Sequence, residues 1–445
     1  MNAPFEPSEW SLEPSLASLA DVISPEAGLI GSVTQISTHE DPFHVYVAGL
    51  GELEAVQDNI RRISELPSGV EMAGSGGNIN PLLARAIATV EAIERYSNCV
   101  PAPGITWATQ DELVGRVVDM SEMPACSPIE LAHPKCVVAP FDPEERVRWT
   151  RGWSLLSNEP VWVPAVNVWM HIPALTSSER FTLPISTGSA AHTSLANAIL
   201  NAICEVVERD SIALTWMQML ALPRIEFANA SETLRRALES AESTGIEYAF
   251  FDATTDLGLP TVYCVDTDHA SSKLRHVVMC ATDPDPERAV IKILREIAAS
   301  RMGLNSVRRA PESVDDFHDV FHGAQYMGAA ERAHAFDFLL NTTAPSRGIE
   351  HVASMVGGDS TQELEAVLEA FRLRGWEVVV VDISTVEARD AGVTVVKVII
   401  PRLMPLSFVY RSQFRAHPRL FDAPRNMGLV VRSEEELNRF PQPFA

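Results

Sequence analysis

The chain has 445 residues, of which 46% are hydrophobic and 21% charged, so it can bury the core of one large domain or two ordinary ones. Its formal net charge of −24 opposes binding to nucleic acid or to an anionic membrane, because phosphate contacts need clustered Lys and Arg. Residues 1–32 lack the basic start and apolar run of a signal peptide, and no apolar stretch approaches the ~18 residues of a membrane span. The composition therefore predicts a cytoplasmic protein that binds neither nucleic acid nor membrane.

The six cysteines form no C-x-x-C pair, and three of them lie within strongly apolar segments. This distribution is typical of reduced thiols in a core, so we expect neither a disulfide framework nor structural zinc.

Residues 1–69 predict a small leading unit, with a strand pattern over residues 44–48 and a helical pattern over residues 52–66. The glycine-rich run at residues 74–78 then predicts a loop that leads into a helix over residues 82–96, with Asn80 as N-cap and Pro81 at its first position. Such a loop presents backbone N–H groups that could approach a phosphate.

The rest of the chain mixes strand and helix patterns. A strand-rich region at residues 161–170 precedes a turn at residues 186–189, and a long helix follows over residues 193–220, capped by Thr193 or Ser194. Further strands are predicted at residues 247–256, 261–266, 377–382 and 393–400, and further helices at residues 286–302 and 362–374. This order predicts an α/β or mixed α+β fold.

An internal repeat is the most informative feature of the sequence. Residues 83–95 resemble residues 196–209, and both segments end in the pattern E-x-x-E-R. Residues three apart on a helix share a face, so Glu91 lies beside Glu94, and Glu205 lies beside Glu208. Two helices with the same acidic face predict two halves of the molecule that face one ligand.

Two explanations of these carboxylates are open. Each pair can belong to a solvated face, on which Arg95 or Arg209 forms an i,i+4 ion pair worth only about 0.2–0.5 kcal/mol. The other positions of both helices are nearly all apolar or small, however, which predicts burial, and buried carboxylates persist only when they are paired or bind a metal. Oxygen ligands without His or Cys suit Mg2+, which commonly binds carboxylates together with substrate phosphates. The pattern favours a Mg2+–nucleotide site between two pseudo-equivalent helices.

The two E-x-x-E-R helices behind small-residue loops, and a third helix after the A-T-D-P-D-P segment at residues 281–286, resemble the YcaO family. The resemblance covers roughly residues 70–445 and implies a small N-terminal region at 1–69, a catalytic domain at 70–430 and a tail at 431–445. It implies a YcaO-like fold with pseudo-duplicated helices around a site for ATP and Mg2+. The residues that it assigns are Glu91, Glu94, Glu205 and Glu208 for Mg2+ and the nucleotide phosphates, with Arg95, Ser186 and Arg301 as further nucleotide-binding residues.

Three positions depart from the family pattern. Relatives often carry Gly-Lys-Gly in the first loop, where this chain has Gly76-Gly77-Asn78. The Asn common in the second loop is Thr187, and the Gln common on the third helix is Ala299. One cation that would neutralise phosphate is therefore missing or supplied elsewhere, while the four glutamates are unaffected.

The last six residues, F-P-Q-P-F-A, resemble the proline-rich tail of azoline-forming members of the family. A solvated polyproline II end is the alternative, since short proline-rich termini are usually of that kind. The resemblance implies instead that the tail reaches the active site, with Pro441 and Pro443 stiffening it and the Ala445 carboxylate near the reacting amide. Thioamide-forming and amidine-forming relatives generally lack such a tail.

The resemblance implies an ATP-dependent cyclodehydratase that converts Cys, Ser or Thr of a ribosomally made precursor peptide to thiazoline or oxazoline, as in bacteriocin biosynthesis. Because the segment before the resembling region is short, we expect a separate leader-binding partner of the E1-like type, and a flavin-dependent azoline dehydrogenase as a further subunit. Thioamide or amidine formation by the same ATP chemistry is one alternative. A non-catalytic scaffold is another, and the missing loop Lys and third-helix Gln favour it.

Overall fold

A computed structural model describes residues 14–37, 43–51, 53, 57, 59–60, 72–306 and 310–444. Most of the helix predicted at residues 52–66 lies outside the described residues, and so does Ala445.

The first sheet is antiparallel and lies near the N-terminus. It contains β1 (Ile30–Gln35), β2 (His44–Leu50) and β3 (Ala73–Asn78) in that order, and β3 leads into helix α1 (Pro81–Ser97), which packs on the sheet. The prediction of a glycine loop at residues 74–78 is wrong, because this run is strand β3. Its glycines allow the helix to approach, since a Cβ added at Gly76 would lie 2.2 Å from the carbonyl oxygen of Ala84. The predicted helix start is confirmed, with Pro81 at the first position and the Asn80 side chain accepting a 2.9 Å hydrogen bond from the Leu82 N–H.

The central sheet takes strands from both halves of the chain. These are β4 (Thr106–Ala108), β5 (Arg116–Val117), β6 (Val147–Ser154), β7 (Glu159–Pro164), β8 (Ser189–His192), β14 (Val379–Asp382) and β15 (Thr394–Ile399). Their spatial order is β5-β7-β6-β14-β15-β8, with β4 paired to β6, and all pairs are antiparallel except β5 with β7. Strand β15 is buried almost throughout, so its one charged residue, Lys397, lies in the interior.

The third sheet is antiparallel and largely buried. It contains β10 (Glu247–Asp252), β11 (Thr261–Thr267) and β12 (His276–Thr282), and β12 packs against helices α3 (Leu195–Met217) and α5 (Pro286–Ser306). Every residue of β11 and β12 is buried, which explains their near-continuous apolar sequences. Short strands β9 (Ile225–Glu226) and β13 (Arg347–Gly348) form a separate parallel pair.

The remaining helices surround these sheets. They are α2 (Pro128–Leu131), α4 (Glu232–Glu242), α6 (Val320–Gly328), α7 (Asp337–Leu340), α8 (Ser360–Arg372), α9 (Val386–Asp390) and α10 (Arg419–Asn426). None of the helices among the described residues combines the length and the apolarity needed to cross a membrane. The six cysteines are free thiols, and all but Cys136 are buried.

The predicted mixed α+β fold is confirmed, while several strand limits differ. The strand predicted at residues 161–170 ends at Pro164, where a 3-10 turn begins. The pattern gave no strand at β6, which contains Arg148, Arg151 and Gly152. Arg148 is tolerated in the interior because Glu179, far along the chain, binds its guanidinium at 2.7 Å. A local pattern cannot anticipate such a partner.

Candidate active site

Two strand–helix units of the same construction meet at the candidate site: β3 with α1, and β8 with α3, while α1 also packs against β8. In each unit a backbone N–H at the strand donates to the first glutamate of the helix. Ser75 donates to Glu91 at 3.1 Å, and Gly188 donates to Glu205 at 2.9 Å. The arginine four residues later pairs with the same glutamate, at 2.9 Å on α1 and 3.2 Å on α3. The sequence repeat is therefore also a repeat of contacts.

Glu94 is the carboxylate of this cluster with the least compensation. Its oxygens have no hydrogen bond or ion pair with the described residues. Burial raises the pKa of Glu94 well above its ordinary value, and the carboxylates of Glu205 and Glu91 raise it further. Carboxylates of both helices thus act on one another across the site, and a bound cation would relieve their repulsion.

Glu208, at 2% exposure, lies deeper and has several donors. One oxygen accepts from Arg209 at 2.7 Å, and the other accepts from Lys292 at 3.2 Å and from the Thr282 N–H at 3.3 Å. Since both oxygens are already occupied, Glu208 is less open to a metal than Glu94 and instead holds two cations in place.

Helix α5 contributes two residues that the sequence analysis did not assign. The Lys292 ammonium pairs with Glu208, and its Nζ lies 4.0 Å from Oε1 of Glu296, one helical turn further on. Burial alone would lower the pKa of Lys292, but the two carboxylates raise it above its ordinary value, so the ammonium stays charged. The i,i+4 spacing of Lys292 and Glu296 on a predicted helix was the available signal.

Lys397 is the second cation that the sequence analysis missed. It is 2% exposed, and its Nζ donates to the Ile185 carbonyl at 2.8 Å. Burial lowers the pKa of Lys397 to about 8, against the opposing effect of Glu205 and Glu94. The available signal was a single charge in the apolar run T-V-V-K-V-I.

Ser186 lies at the turn before β8, where its carbonyl accepts a 2.8 Å hydrogen bond from the Ser189 N–H. It is next to Ile185, which binds Lys397, so the structure brings it near the carboxylates. Its role in nucleotide binding stays a prediction.

Arg301 is not brought to the cluster. It follows Lys292 by nine residues, which places it on the opposite side of helix α5. Its guanidinium donates to Asp266 at 2.6 Å and to the Leu274 carbonyl at 3.0 Å. These contacts give Arg301 a structural role, and its predicted role in nucleotide binding stays untested.

The C-terminal tail is buried from Pro441 to Phe444, unlike a solvated end. Phe444 bridges Val278 of β12 in parallel, and its ring centre lies 4.6 Å from the guanidinium carbon of Arg209. Gln442 passes over Gly323 of α6, where an added Cβ would lie 1.9 Å from the Gln442 carbonyl oxygen. The residue before Ala445 therefore contacts the helix that carries Glu205 and Glu208.

The chemistry of these residues fits Mg2+ that is held partly by a nucleotide. Among the described residues, no three Asp, Glu, His or Cys side chains converge as a ready-made metal cage. Mg2+ usually takes only one or two protein carboxylates and completes its octahedron with phosphates and water. Glu94, which has no hydrogen-bond partner among the described residues, matches that requirement. Glu205 is the second candidate, because its side chain is 22% exposed although both of its oxygens already accept hydrogen bonds.

A family model described as an ATP- and Mg2+-binding YcaO cyclodehydratase matches residues 75–404, which is most of the chain. The chain belongs to the YcaO family. The match contains both E-x-x-E-R helices, α5 and Lys397, and it supports the assignment of ATP and Mg2+ binding at the level of the family.

Two curated relatives share moderate similarity with this YcaO protein. One is an uncharacterised protein in the tfuA 3′ region of Rhizobium leguminosarum bv. trifolii, 28% identical over 244 residues, which are 51% of this chain and 54% of the relative. The other is an uncharacterised protein of Methanothermobacter thermautotrophicus, 26% identical over 328 residues, which are 72% of this chain and 78% of the relative. The chain thus spans about half the length of the first relative.

Solved structures share the fold. A heterocyclase in complex with substrate and cofactor superposes with a TM-score of 0.79 at 22% identity, over 99% of this chain and 57% of that one. YcaO from Methanopyrus kandleri, bound with AMPPCP and Mg2+, superposes with a TM-score of 0.62 at 20% identity, over 90% of this chain and 92% of that one. A chain of the Escherichia coli microcin synthetase McbBCD complex with pro-MccB17 superposes with a TM-score of 0.62 at 14% identity, over 95% of this chain and 98% of that one. The predicted YcaO-like fold is confirmed.

Proposed function

We propose that this YcaO protein is an ATP-dependent cyclodehydratase that forms thiazoline or oxazoline rings from Cys, Ser or Thr of a ribosomally made peptide. The observation that supports azoline formation is the position of the tail. Phe444 lies against Arg209, whose guanidinium pairs with Glu205 and Glu208. A tail segment beside the proposed nucleotide site suits a reaction in which ATP and peptide must meet at one carbonyl.

The proposed reaction balances as follows. The substrate thiol or hydroxyl bonds to the carbon of the preceding amide and loses its proton to a base. The resulting oxyanion attacks the γ-phosphorus of ATP and displaces ADP. Phosphate then leaves with the former amide oxygen, the amide nitrogen loses its proton, and a C=N bond closes the azoline. Each ring therefore consumes one ATP and releases ADP and phosphate.

Charged residues of this chain would stabilise the charges that arise during these reaction steps. Glu91, Glu94, Glu205 and Glu208 are the proposed Mg2+ and phosphate site, with Glu94 and the 22% exposed Glu205 as the more accessible ligands. Mg2+, when bound, neutralises phosphate charge. Lys292 and Arg209, which pair with Glu208, and Arg95, which pairs with Glu91, would stabilise charge that develops on the transferred phosphoryl group.

The tail supplies the second part of the proposal. The proposed carboxylate belongs to Ala445, which follows Phe444 in the sequence and lies outside the described residues. We infer that this carboxylate orients the peptide or accepts the thiol proton, while Pro441 and Pro443 restrict the tail to an extended path.

Partners belong to the proposal as well. We infer a precursor peptide, a separate leader-binding protein of the E1-like type and a flavin-dependent azoline dehydrogenase. The microcin synthetase complex with its pro-peptide supports the first two, because it is a multi-protein assembly that shares this fold.

The decisive experiment replaces a carboxylate without changing its size. Glu205→Gln and Glu91→Gln should abolish ATP-dependent ring formation while thermal stability changes little, because relief of the repulsion between carboxylates offsets the loss of the ion pair with Arg209 or Arg95. Glu239→Gln, on the exposed face of α4, is the matched control and should keep full activity. Mass spectrometry of the peptide with its leader-binding partner measures the loss of one water per ring.

Other outcomes would redirect the assignment. Wild-type turnover by both glutamine variants would remove the Mg2+–nucleotide site. Exchange of oxygen for sulfur in the product would indicate thioamide formation. Absence of ATP turnover with peptide and partner present would favour a scaffold.

A further inference from the structure

The inference concerns Lys397, whose place in the fold is fixed by backbone pairing. Strand β15 pairs with β8, and Lys397 lies opposite Ser189. The Ser189 hydroxyl donates to Asn98, which follows helix α1, at 2.9 Å. The preceding residue, Gly188, donates to Glu205 of α3 at 2.9 Å. Lys397 therefore lies where β8 passes between the two glutamate helices.

The ammonium of Lys397 has little other compensation. Its one hydrogen bond in the described part of the chain goes to the Ile185 carbonyl at 2.8 Å, and the side chain is almost completely buried. A buried lysine without a carboxylate is strongly disfavoured. The charges that act on it are those of Glu205 and Glu94, one from each helix of the repeat.

The other cations of the site have their own partners. Arg95 pairs with Glu91, Arg209 pairs with Glu205 and Glu208, and Lys292 pairs with Glu208. Glu94 is left without an ion pair among the described residues. Arg95, from the same helix, and Lys397, from a third element, both act electrostatically on Glu94 and on Glu205.

We propose that Lys397 is an internal counter-ion that holds the two glutamate helices in register without metal and competes with a divalent cation for their carboxylates. It is a positioning residue, and the inference rests on the proposed Mg2+ site. The physical basis is charge balance, because two partly buried carboxylates that repel one another are stabilised by a positive charge nearby. A divalent ion supplies more charge than the ammonium, so the carboxylates can turn to the metal when it binds.

The test is Lys397→Met, which keeps an unbranched side chain and removes the charge. Thermal unfolding of the full chain is followed during titration with MgCl2, without nucleotide or peptide. Without Mg2+, the variant should unfold at a lower temperature than wild type. The Mg2+ concentration that gives half of the maximal stabilisation should be on the order of tenfold lower for the variant than for wild type, because no ammonium competes with the metal. Lys273→Met, at an exposed lysine, is the matched control and should titrate like wild type.

Two results would overturn the proposal. One is an unchanged or weaker response of Lys397→Met to Mg2+; a weaker one would mean that the ammonium assists the ligand. The other applies if Lys397→Met does not fold, in which case Lys397→Met/Glu94→Gln should restore folding by removing one charge of each sign, and failure to do so would show that the lysine serves only packing. Because the readout is metal binding, the result is independent of ring formation. If Lys397→Met shifts the Mg2+ titration but the wild-type protein forms no azoline, the proposed activity is rejected while the proposed role of Lys397 as counter-ion stands.

Discussion

Buried charge in this protein falls into two groups with different partners. Asp266 and Arg301 form an enclosed pair with matched hydrogen bonds, whereas Glu94 is partly buried among like charges and has no such partner among the described residues. Burial raises the pKa of Asp266 to about 6 although Arg301 opposes the shift. An ion pair whose hydrogen bonds are complete stabilises the fold, whereas a carboxylate without a partner indicates a site for a ligand.

Arg301→Leu tests that distinction. Removing the guanidinium leaves Asp266, which is 0% exposed, without its partner, so the free energy of unfolding should fall by about 3–5 kcal/mol. ATP affinity of the folded fraction should stay within about twofold, because the side chain lies away from the carboxylates. Denaturant unfolding and calorimetric titration measure the two quantities. Arg235→Leu removes an exposed ion pair on α4 and should change stability by less than about 0.5 kcal/mol. A large loss of ATP affinity with unchanged stability would return Arg301 to the nucleotide site.

His171 gives a prediction about pH. Burial, with Arg95 nearby, lowers the pKa of His171 from 6.5 to about 4. Between these values the unfolded chain binds a proton that the folded protein does not, so stability falls as pH falls through this range. The shift corresponds to a loss of up to about 3 kcal/mol between pH 7 and pH 4.

His171→Phe should remove that part of the pH dependence, measured by denaturant unfolding at several pH values. His351→Phe, with an exposed side chain, should leave the profile of wild type unchanged. Identical profiles for wild type and His171→Phe would show that His171 titrates normally in the folded protein.

At the scale of elements, the tail is built into the third sheet. Phe440 accepts a 3.1 Å hydrogen bond from the Trp216 indole at its carbonyl, and Phe444 bridges β12. Between them Gln442 crosses Gly323, a helix position at which a Cβ would collide with the Gln442 backbone. The glycine of α6 therefore admits the tail to its place beside Arg209.

Gly323→Ala should displace the tail without any change in the tail itself. Alanine favours the helix by about 1 kcal/mol, so the effect on α6 alone is stabilising. Ring formation should fall by at least about 100-fold, as on deletion of residues 441–445 or extension beyond Ala445, because a positioned acid–base group is lost. ATP affinity should change less. Gly303→Ala on α5, where an added Cβ meets nothing within 4 Å, is the control. Normal ring formation by Gly323→Ala and by the truncated chain would remove the catalytic role of the tail.

At the scale of the whole molecule, the structures that share this fold bear on how a substrate peptide is recruited. The heterocyclase with substrate and cofactor is longer than this chain, which spans 57% of it, while the microcin synthetase that shares the fold is a multi-protein complex. Recognition of the leader by another protein is part of the function proposed above.

We therefore expect low activity from the purified chain alone and at least about tenfold faster ring formation when a leader-binding partner is added, since tethering raises the effective concentration of the peptide. The rates are compared with full-length precursor and with its core segment alone. Only the full-length precursor should respond to the partner. Rapid processing of the full-length precursor by the isolated chain would show that this chain recognises the leader itself.

The sequence by itself determined the features that depend on local periodicity. Helices α1 and α3 follow from apolar residues at helical spacing, and the start of α1 follows from Asn80 and Pro81. The repeated E-x-x-E-R pattern was sufficient to place carboxylates on equivalent faces, since three residues make nearly one helical turn. The same local evidence misjudged β3, because the packing of its glycines on α1 is a tertiary contact.

Only the tertiary structure decided what surrounds those carboxylates. Lys397 binds a carbonyl 212 residues away, and the tail reaches Arg209 across more than half of the chain. Arg301 and Lys292 occupy the same helix, yet one serves a buried ion pair and the other the carboxylate cluster, because different sheets and helices face the two sides of α5. Local spacing determines which side chains share a face of an element, whereas the charge balance of a site depends on elements that meet only after folding.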